Sequence, residues 1–252
     1  VSAGGRNFYV TQNVVKNVGR DEMHQFLVAR DAFNGLLLWQ RQWMGPFVTG
    51  NGETNPRLVA SGEYVYLVDN GHVLALDAQT GKTRFRWETV EAPDKLVHVG
   101  HTLLVQSPDG LTALDDRLDK VIWKFSDKTT HGTASVDGQV LCLVSGRSQD
   151  GNFKHELVSI NLSDGEIAWR INTQPQTTSQ QVRINFARDG LVALQSHGSL
   201  HLFSAESGDH LWTRKTDAKP GKSYVDERFV GHFLRRGLVW MLKQNSEGKL
   251  SG

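Results

Sequence analysis

Short apolar runs recur along the chain, and turn-forming residues bound each of them. One run in every recurrence begins within three residues after a glycine, and these glycines are Gly5, Gly62, Gly100, Gly138, Gly190 and Gly237. No segment keeps its apolar residues at helical spacing, whereas short apolar runs between turns are typical of β-strands. The pattern therefore predicts an all-β chain.

A second phrase follows the apolar run in the first five recurrences. It starts with a small polar residue, reaches a turn residue four positions later, and reaches a large aromatic residue after four more. The polar residues are Asp31, Asp77, Asp115, Asn161 and Ser204; the turn residues are Gly35, Gly81, Asp119, Gly165 and Gly208; the aromatic residues are Trp39, Phe85, Trp123, Trp169 and Trp212. The second copy adds Trp87, which strand alternation places on the same face as Phe85. Such repetition means that one structural unit is copied along the chain.

The second copy shows how one unit is built from four strands, labelled A to D in chain order. These strands are predicted at residues 57–60, 64–68, 72–77 and 82–88. Asn70-Gly71 between strands B and C is a hairpin signal, because both residues accept a positive φ. In the C–D turn, Asp77 is expected to accept backbone N–H groups and Gly81 to supply a left-handed residue. The strand D aromatic residue is predicted to wedge between units and to donate its indole N–H to a carbonyl.

Four-stranded units of about 40 to 45 residues are the blades of β-propellers. We therefore predict one propeller domain over residues 1–252, with blades at approximately 1–43, 56–89, 95–126, 132–171, 182–215 and, in part, 227–252. The sixth blade has an apolar run from Gly237 but no strand D aromatic residue. Because an open arc leaves unpaired faces, we expect a parent ring of seven or eight blades, with the remainder outside this chain.

The phrase "ALDAQTGKTRF" at residues 75–85 resembles the repeat of pyrroloquinoline-quinone-like (PQQ-like) propellers, whose pattern is Ala-x-Asp-x-x-Thr-Gly-x-x-x-Trp. The other four copies are similar with substitutions, so the resemblance covers nearly the whole chain. The stretches "LVARDAFNGLLLWQR" and "NPRLVASGEYVYL" also look like PQQ-like repeat proteins of planctomycete-type bacteria. The resemblance implies an extracytoplasmic bacterial setting, which would be periplasmic, associated with the outer membrane or secreted.

The composition narrows the classes of function. A formal net charge of +1 argues against the strongly basic surface of a nucleic-acid-binding domain. The one cysteine, Cys142, cannot form an internal disulfide, and its apolar neighbours predict a buried strand position. No stretch approaches the ~18 apolar residues of a membrane-spanning helix. These observations favour a folded domain that acts on, or binds, something other than nucleic acid.

Binding residues are expected where the repeats differ from one another. The B–C connections of blades 1 and 4 are long, and so are the D–A connections at 43–55 and 172–181. Because B–C and D–A connections leave a blade on one side, all four insertions decorate one face, where loops on a rigid scaffold commonly bind ligands. We predict a protein or glycan partner on this face, and the candidate contact residues are Trp43, Phe47, Arg147, Phe153 and His155.

The resemblance implies two functions from different classes. Quinoprotein dehydrogenases oxidise alcohols or sugars and hold PQQ with Ca²⁺, but they typically show adjacent cysteines and a set of metal-binding oxygen ligands that this sequence does not display. Periplasmic lipoproteins of the outer-membrane barrel assembly machinery share the repeat, have no cofactor, and bind partners through loops and strand edges. We predict a non-catalytic binding or assembly scaffold, without catalytic, cofactor-binding or metal-binding residues. Part of a PQQ-dependent dehydrogenase is the alternative, and only that alternative requires PQQ with Ca²⁺.

Overall fold

The computed structural model describes residues 1–17, 20–43, 57–89, 93–127, 130–147, 153–173, 182–196, 199–215, 227–235, 238–245 and 250–251. Side chains are described for residues 1–13, 24–43, 57–89, 93–127, 132–146, 154–173, 182–195 and 199–214. Every regular element in these ranges is a β-strand, which confirms the predicted all-β class.

Five sheets of four strands follow one another along the chain, and a sixth sheet has three strands. Blades 1 to 3 contain β1 (Ser2–Ala3), β2 (Arg6–Asn17), β3 (Arg20–Asp31), β4 (Leu37–Gln42), β5 (Leu58–Ala60), β6 (Tyr64–Asp69), β7 (His72–Asp77), β8 (Thr83–Glu88), β9 (Lys95–Val99), β10 (Thr102–Ser107), β11 (Gly110–Asp115) and β12 (Val121–Phe125). Blades 4 to 6 contain β13 (Thr130–Val136), β14 (Gln139–Arg147), β15 (Phe153–Asn161), β16 (Ile167–Asn172), β17 (Val182–Arg188), β18 (Leu191–Ser196), β19 (Ser199–Ser204), β20 (His210–Lys215), β21 (Glu227–Arg235), β22 (Leu238–Asn245) and β23 (Leu250–Ser251).

Strands within each sheet are hydrogen-bonded in chain order, and this meander of four antiparallel strands is the architecture of a propeller blade. The predicted four-stranded propeller blades are thereby confirmed, with five complete blades and part of a sixth. The single domain over residues 1–252 and a parent ring of seven or eight blades stay predictions.

The chain forms two compact units. The first comprises Val1–Thr133 with Leu162–Glu166, and the second comprises Ala134–Asn161 with Ile167–Gly252. In the first unit, alternate residues of β6 serve two different cores. Val65 and Leu67 pack with blade 1, whereas Tyr66 and Val68 pack with blade 3. A strand that is buried on both faces has to be apolar throughout, and this requirement explains the continuous apolar runs in the sequence.

The second unit has a core of the same kind between blades 4 and 5. Leu141, Leu143 and Leu157 pack there with Val192 and Leu194. Cys142 lies on the other face of β14 and is fully buried, as its apolar run predicts. Burial of apolar strand faces against the next blade therefore stabilises both units.

The repeat's glycine and its aromatic residue meet at the boundary between consecutive blades. The Trp39 indole N–H donates to the Ala78 carbonyl in the C–D turn of blade 2, at 3.1 Å. Gly81 in that turn has a φ of +68°, and a Cβ added to it would lie 2.7 Å from the Trp39 ring. Glycine is needed here both for its backbone conformation and for the space that the ring occupies.

The same contact recurs at two further boundaries. Trp123 donates to the Leu162 carbonyl at 2.7 Å and packs on Gly165, and Trp169 donates to the Ala205 carbonyl at 3.0 Å and packs on Gly208. Trp212 packs against the blade 5 core cluster of Ala193, Leu200 and Leu202. The predicted wedge between blades is therefore found with its hydrogen bond at three boundaries.

The turn aspartates accept backbone N–H groups as predicted. Asp31 Oδ1 accepts from Phe33 and Asn34, and Asp77 Oδ1 accepts from Gln79 and Thr80. Asp115 Oδ1 accepts from the N–H groups of residues 119 and 120 instead. At the corresponding position of blade 4, Asn161 is the last residue of β15. The acidic side chains of the repeat thus close the C–D turns.

The C–D turn of blade 3 departs from the prediction. The sequence assigns the turn position to Asp119, but the residue with positive φ is Leu118, at 61°. Leu118 is 4% exposed and belongs to the core between blades 2 and 3, against which Phe85 also packs. The Phe85 ring has no N–H donor, and at this boundary the Tyr66 hydroxyl donates to the turn carbonyl of Asp116, at 3.0 Å. Burial of an apolar side chain here outweighs the preference of a polar residue for the left-handed conformation.

Candidate functional site

The long B–C connections of blades 1 and 4 are extended hairpins in the structure. Strands β2 and β3 pair without interruption from Arg6↔Asp31 to Asn17↔Arg20, and β14 and β15 pair out to Arg147↔Phe153. The sequence analysis treated these residues as loops. They continue the strands because the backbone groups can pair across the hairpin, and pairing satisfies donors and acceptors that a loop leaves to water.

Two of the candidate contact residues are buried. Trp43 is 2% exposed, packs in the core between blades 1 and 2, and donates its indole N–H to the Val68 carbonyl at 2.8 Å. His155 is 2% exposed, and its Nδ1 lies 2.7 Å from the Ser145 hydroxyl. Both side chains therefore stabilise the blades and are not presented to a partner in solution.

The structure describes no side chain for the remaining three candidates. Arg147 and Phe153 are paired opposite each other at the end of the blade 4 hairpin. Phe47 lies outside the described residues. Binding by the B–C and D–A loops around these three residues stays a prediction.

A cleft of about 460 Å³ lies between blades 2 and 3 in the first unit. One wall comes from the end of β8, with Trp87 and Thr89, and the other comes from β12, with Val121 and Lys124. The B–C turn of blade 3 lines it as well, through Ser107, Asp109 and Gly110. The cleft thus opens on the predicted face, but between two blades whose connections are short.

Strand register explains why these side chains meet. Trp87 pairs with Val73 and follows Phe85 by two positions, so both aromatic rings point to the core shared with blade 3. Across the boundary, Lys124 pairs with Thr112, which in turn pairs with Val105, and this ladder faces blade 2. The Trp87 indole therefore lies opposite the Thr112 hydroxyl and the Lys124 ammonium. This combination of an apolar wall with polar groups suits an amphipathic ligand.

The backbone closes one end of the cleft. Gly110 has a φ of +126°, and a Cβ added to it would lie 2.1 Å from the Phe125 carbonyl oxygen. Only glycine lets the B–C hairpin approach β12 so closely. At the other wall, the Thr89 hydroxyl donates to the Gly71 carbonyl at 2.6 Å, which fixes the end of β8. The cleft walls are therefore held in place by the fold.

Sequence reasoning missed this cleft because it searched long connections. One signal was available, since Trp87 is a strand D tryptophan that the repeat pattern does not require. A second aromatic residue on the same face of strand D exceeds what one blade boundary needs.

The pKa shifts in the described part of the chain follow from turns and cores. Hydrogen bonds from Arg84 and Thr80 lower the pKa of Asp77 to about 2. Burial raises the pKa of the Tyr66 hydroxyl and lowers the pKa of His98, whose ring stacks on Tyr66 with centroids 5.2 Å apart. Each of these groups has a structural partner that accounts for its position.

Among the residues that the structure describes, no group of three or more His, Cys, Asp or Glu side chains could hold a metal ion. The single cysteine is buried in β14.

Together, the blades and the cleft define a β-propeller of PQQ-like repeats with an open groove between two blades. A family model described as outer membrane protein assembly factor BamB matches residues 2–98 and 87–240. The chain belongs to this family, which confirms the predicted relation to PQQ-like repeat proteins.

Solved structures with similar folds were also found. BamB from Moraxella catarrhalis is 16% identical, covering 90% of this chain and 77% of that chain, with a TM-score of 0.42. The N-terminal domain of Nup159 is 11% identical, with 73% and 50% coverage and a TM-score of 0.50. Sqt1 from Saccharomyces cerevisiae is 9% identical, with 89% and 64% coverage and a TM-score of 0.56. At these identities the likeness concerns the fold alone.

A comparison with curated proteins found no match. In the described ranges, no helix has the length and apolar character needed to cross a membrane.

Proposed function

We propose that this chain is a non-catalytic scaffold that binds a protein partner in a bacterial compartment outside the cytoplasm. The observation that carries the proposal is the family match, because the family is named for the assembly of outer membrane proteins. On this proposal the chain needs no PQQ and no metal ion. The cleft between blades 2 and 3 supplies the place where an extended segment of the partner binds.

The outer strands of the blades favour an extended segment as the ligand. Strands β4, β8 and β16 alternate between exposed and half-buried residues, as expected of a strand at a sheet edge. Several strand D residues are exposed apolar side chains, namely Leu37, Leu38, Val121, Ile167 and Leu211. An edge strand offers unpaired backbone groups to an incoming strand, and apolar positions beside it give specificity.

The cleft adds a defined pocket to one such edge. Val121 is 40% exposed and forms part of the wall opposite Trp87. An apolar side chain of the partner would rest between them, while its polar neighbours reach Lys124 and Thr112. Strands of outer-membrane barrels alternate apolar and polar residues in segments of about ten residues, and such a segment matches this surface.

The test is a binding titration with a fluorescein-labelled peptide of about ten alternating valine and threonine residues. Fluorescence anisotropy should show saturable binding to the wild-type chain. Val121→Asp should weaken binding about tenfold or more, because it places a charge against the Trp87 wall. Ile167→Asp is the matched control, since Ile167 is 49% exposed at the same position of strand D in blade 4 and does not line the cleft.

Three outcomes separate the interpretations. Loss of binding in Val121→Asp alone supports the cleft. Equal loss in both variants means that strand edges bind without using the cleft. No saturable binding to the wild-type chain contradicts the proposal. Both substitutions are at exposed positions, so circular dichroism should show folded protein in each case.

A further inference from the structure

Two cations occupy equivalent positions at the start of blades 2 and 3. Arg57 lies five residues before the blade 2 glycine Gly62, and Lys95 lies five residues before the blade 3 glycine Gly100. Each side chain reaches toward the next blade. The two residues nevertheless meet different groups there.

Arg57 meets a carboxylate. Its Nη2 lies 3.4 Å from Asp94 Oδ1, which belongs to blade 3. The charge of this guanidinium is therefore balanced by a neighbouring blade. Lys95, in contrast, donates from its Nζ to the backbone carbonyl of Thr133, which is uncharged. Within the described part of the chain, no ion pair to Lys95 is found.

The Lys95 ammonium is half-buried, and burial alone lowers its pKa. A charge removed from water without a counter-charge is unfavourable, so this position gains from an anion that can reach it. Lys95 as a residue remains partly exposed.

A second donor lies beside the ammonium. Lys95 and Gln106 are directly paired in β9 and β10, so their side chains project from the same face of the sheet. The Thr133 hydroxyl donates to Gln106 Oε1 at 2.5 Å, which engages the oxygen of that amide. The amide nitrogen is the donor end of the Gln106 side chain.

We propose that Lys95 and Gln106 form a binding site for a carboxylate. An ammonium next to an amide N–H₂ matches the acceptor-only oxygens of that group. The site lies at the first strand of blade 3, on residues other than those that line the cleft, and it does not depend on the proposed partner-binding function.

The test measures the Lys95 amine directly by NMR after reductive methylation of the lysines with ¹³C-formaldehyde. The Lys95 signal is assigned by its absence in Lys95→Gln. In the free protein its pKa should lie below that of the other lysines, and succinate should shift the signal saturably and raise this pKa. Succinate should also raise the Tm of the wild-type chain but not that of Lys95→Gln.

Lys154→Gln is the matched control, because Lys154 pairs with Glu156 at 3.1 Å and should contribute nothing to the site. Its response to succinate should equal that of the wild type. Inorganic phosphate is the comparison anion, and a response to phosphate as strong as that to succinate would overturn the assignment to carboxylates. A uniform response of all lysine signals would overturn the site itself.

One further variant tests whether another residue of this chain supplies the counter-charge of Lys95. Glu91 lies outside the described residues and close to Lys95 in sequence. If Glu91 is the partner of Lys95, Glu91→Gln will lower the Lys95 pKa further and will create a stronger succinate response. That result would overturn the proposal, whereas an unchanged pKa and an unchanged response support it. Lys95→Arg, which keeps the charge, serves as the folded reference if Lys95→Gln is unstable.

Discussion

Replacing Gly81 by alanine tests the contact between consecutive blades most sharply. The added Cβ would lie 2.7 Å from two atoms of the Trp39 ring, and the residue has a φ of +68°. The left-handed backbone costs a residue with a side chain roughly 1–2 kcal/mol. Overpacking against a fixed ring adds about 1–3 kcal/mol. We therefore expect Gly81→Ala to lower the free energy of unfolding by roughly 2–5 kcal/mol.

Gly35 provides the matched control within the same chain. It occupies the same place in the C–D turn of blade 1, with a φ of +75°, but no atom lies within 4 Å of an added Cβ. Gly35→Ala should therefore cost only the backbone contribution of roughly 1–2 kcal/mol. The difference between the two variants measures the ring contact, and we expect about 1–3 kcal/mol in urea denaturation.

A double-mutant cycle completes the test. In a Trp39→Ala background the space beside Gly81 is open, so Gly81→Ala should cost no more than Gly35→Ala. Equal effects of Gly81→Ala and Gly35→Ala in the wild-type background would refute the reasoning. The glycine of the repeat would then serve the turn alone.

Three further changes test the hydrogen bonds of the turns. Trp169→Phe keeps a ring but removes the donor to the Ala205 carbonyl, so urea denaturation should show a loss of about 1–3 kcal/mol; a loss below this range would mean that water replaces the indole. Tyr66→Phe removes the donor to the Asp116 carbonyl and should cost a similar amount, about 1–3 kcal/mol, in the same assay, and an unchanged midpoint would contradict the assigned bond. Asp77 has a lowered pKa in the folded protein, so its stabilising contribution should be present above about pH 4 and lost as the pH falls toward about 2. Asp77→Asn should remove this pH dependence from the stability curve between those values, and a curve parallel to that of the wild type would show that the carboxylate is not involved.

The repeated phrase predicts most of the blade, because each of its residues has a local role. Asn70-Gly71 forms the predicted hairpin with φ values of 47° and 78°. Asp77 closes the C–D turn through hydrogen bonds to residues two and three positions away. Interactions of this range depend on the local sequence alone, so a single sequence is enough to identify them.

Other features depend on groups that are distant in sequence. Leu118 takes the positive φ of its turn because its side chain is buried beside blade 2, and the turn sequence does not contain that information. The burial of Trp43 depends on the Val68 carbonyl in the next blade. The residues at the two long hairpins are compatible with loops or with strands, and only pairing across the hairpin decides between them. The cleft at Trp87 likewise arises from the distance between two blades.

We propose that the chain binds a protein segment and does not use PQQ. One measurement tests this proposal directly, namely a tryptophan-fluorescence titration of the chain with the alternating peptide and, in parallel, with PQQ and Ca²⁺, together with dye-linked oxidation of alcohols and sugars. We expect a saturable change with the peptide, arising from Trp87, and neither binding nor turnover with PQQ. Saturable PQQ binding with turnover would contradict the proposal and would assign the chain to the quinoprotein dehydrogenases.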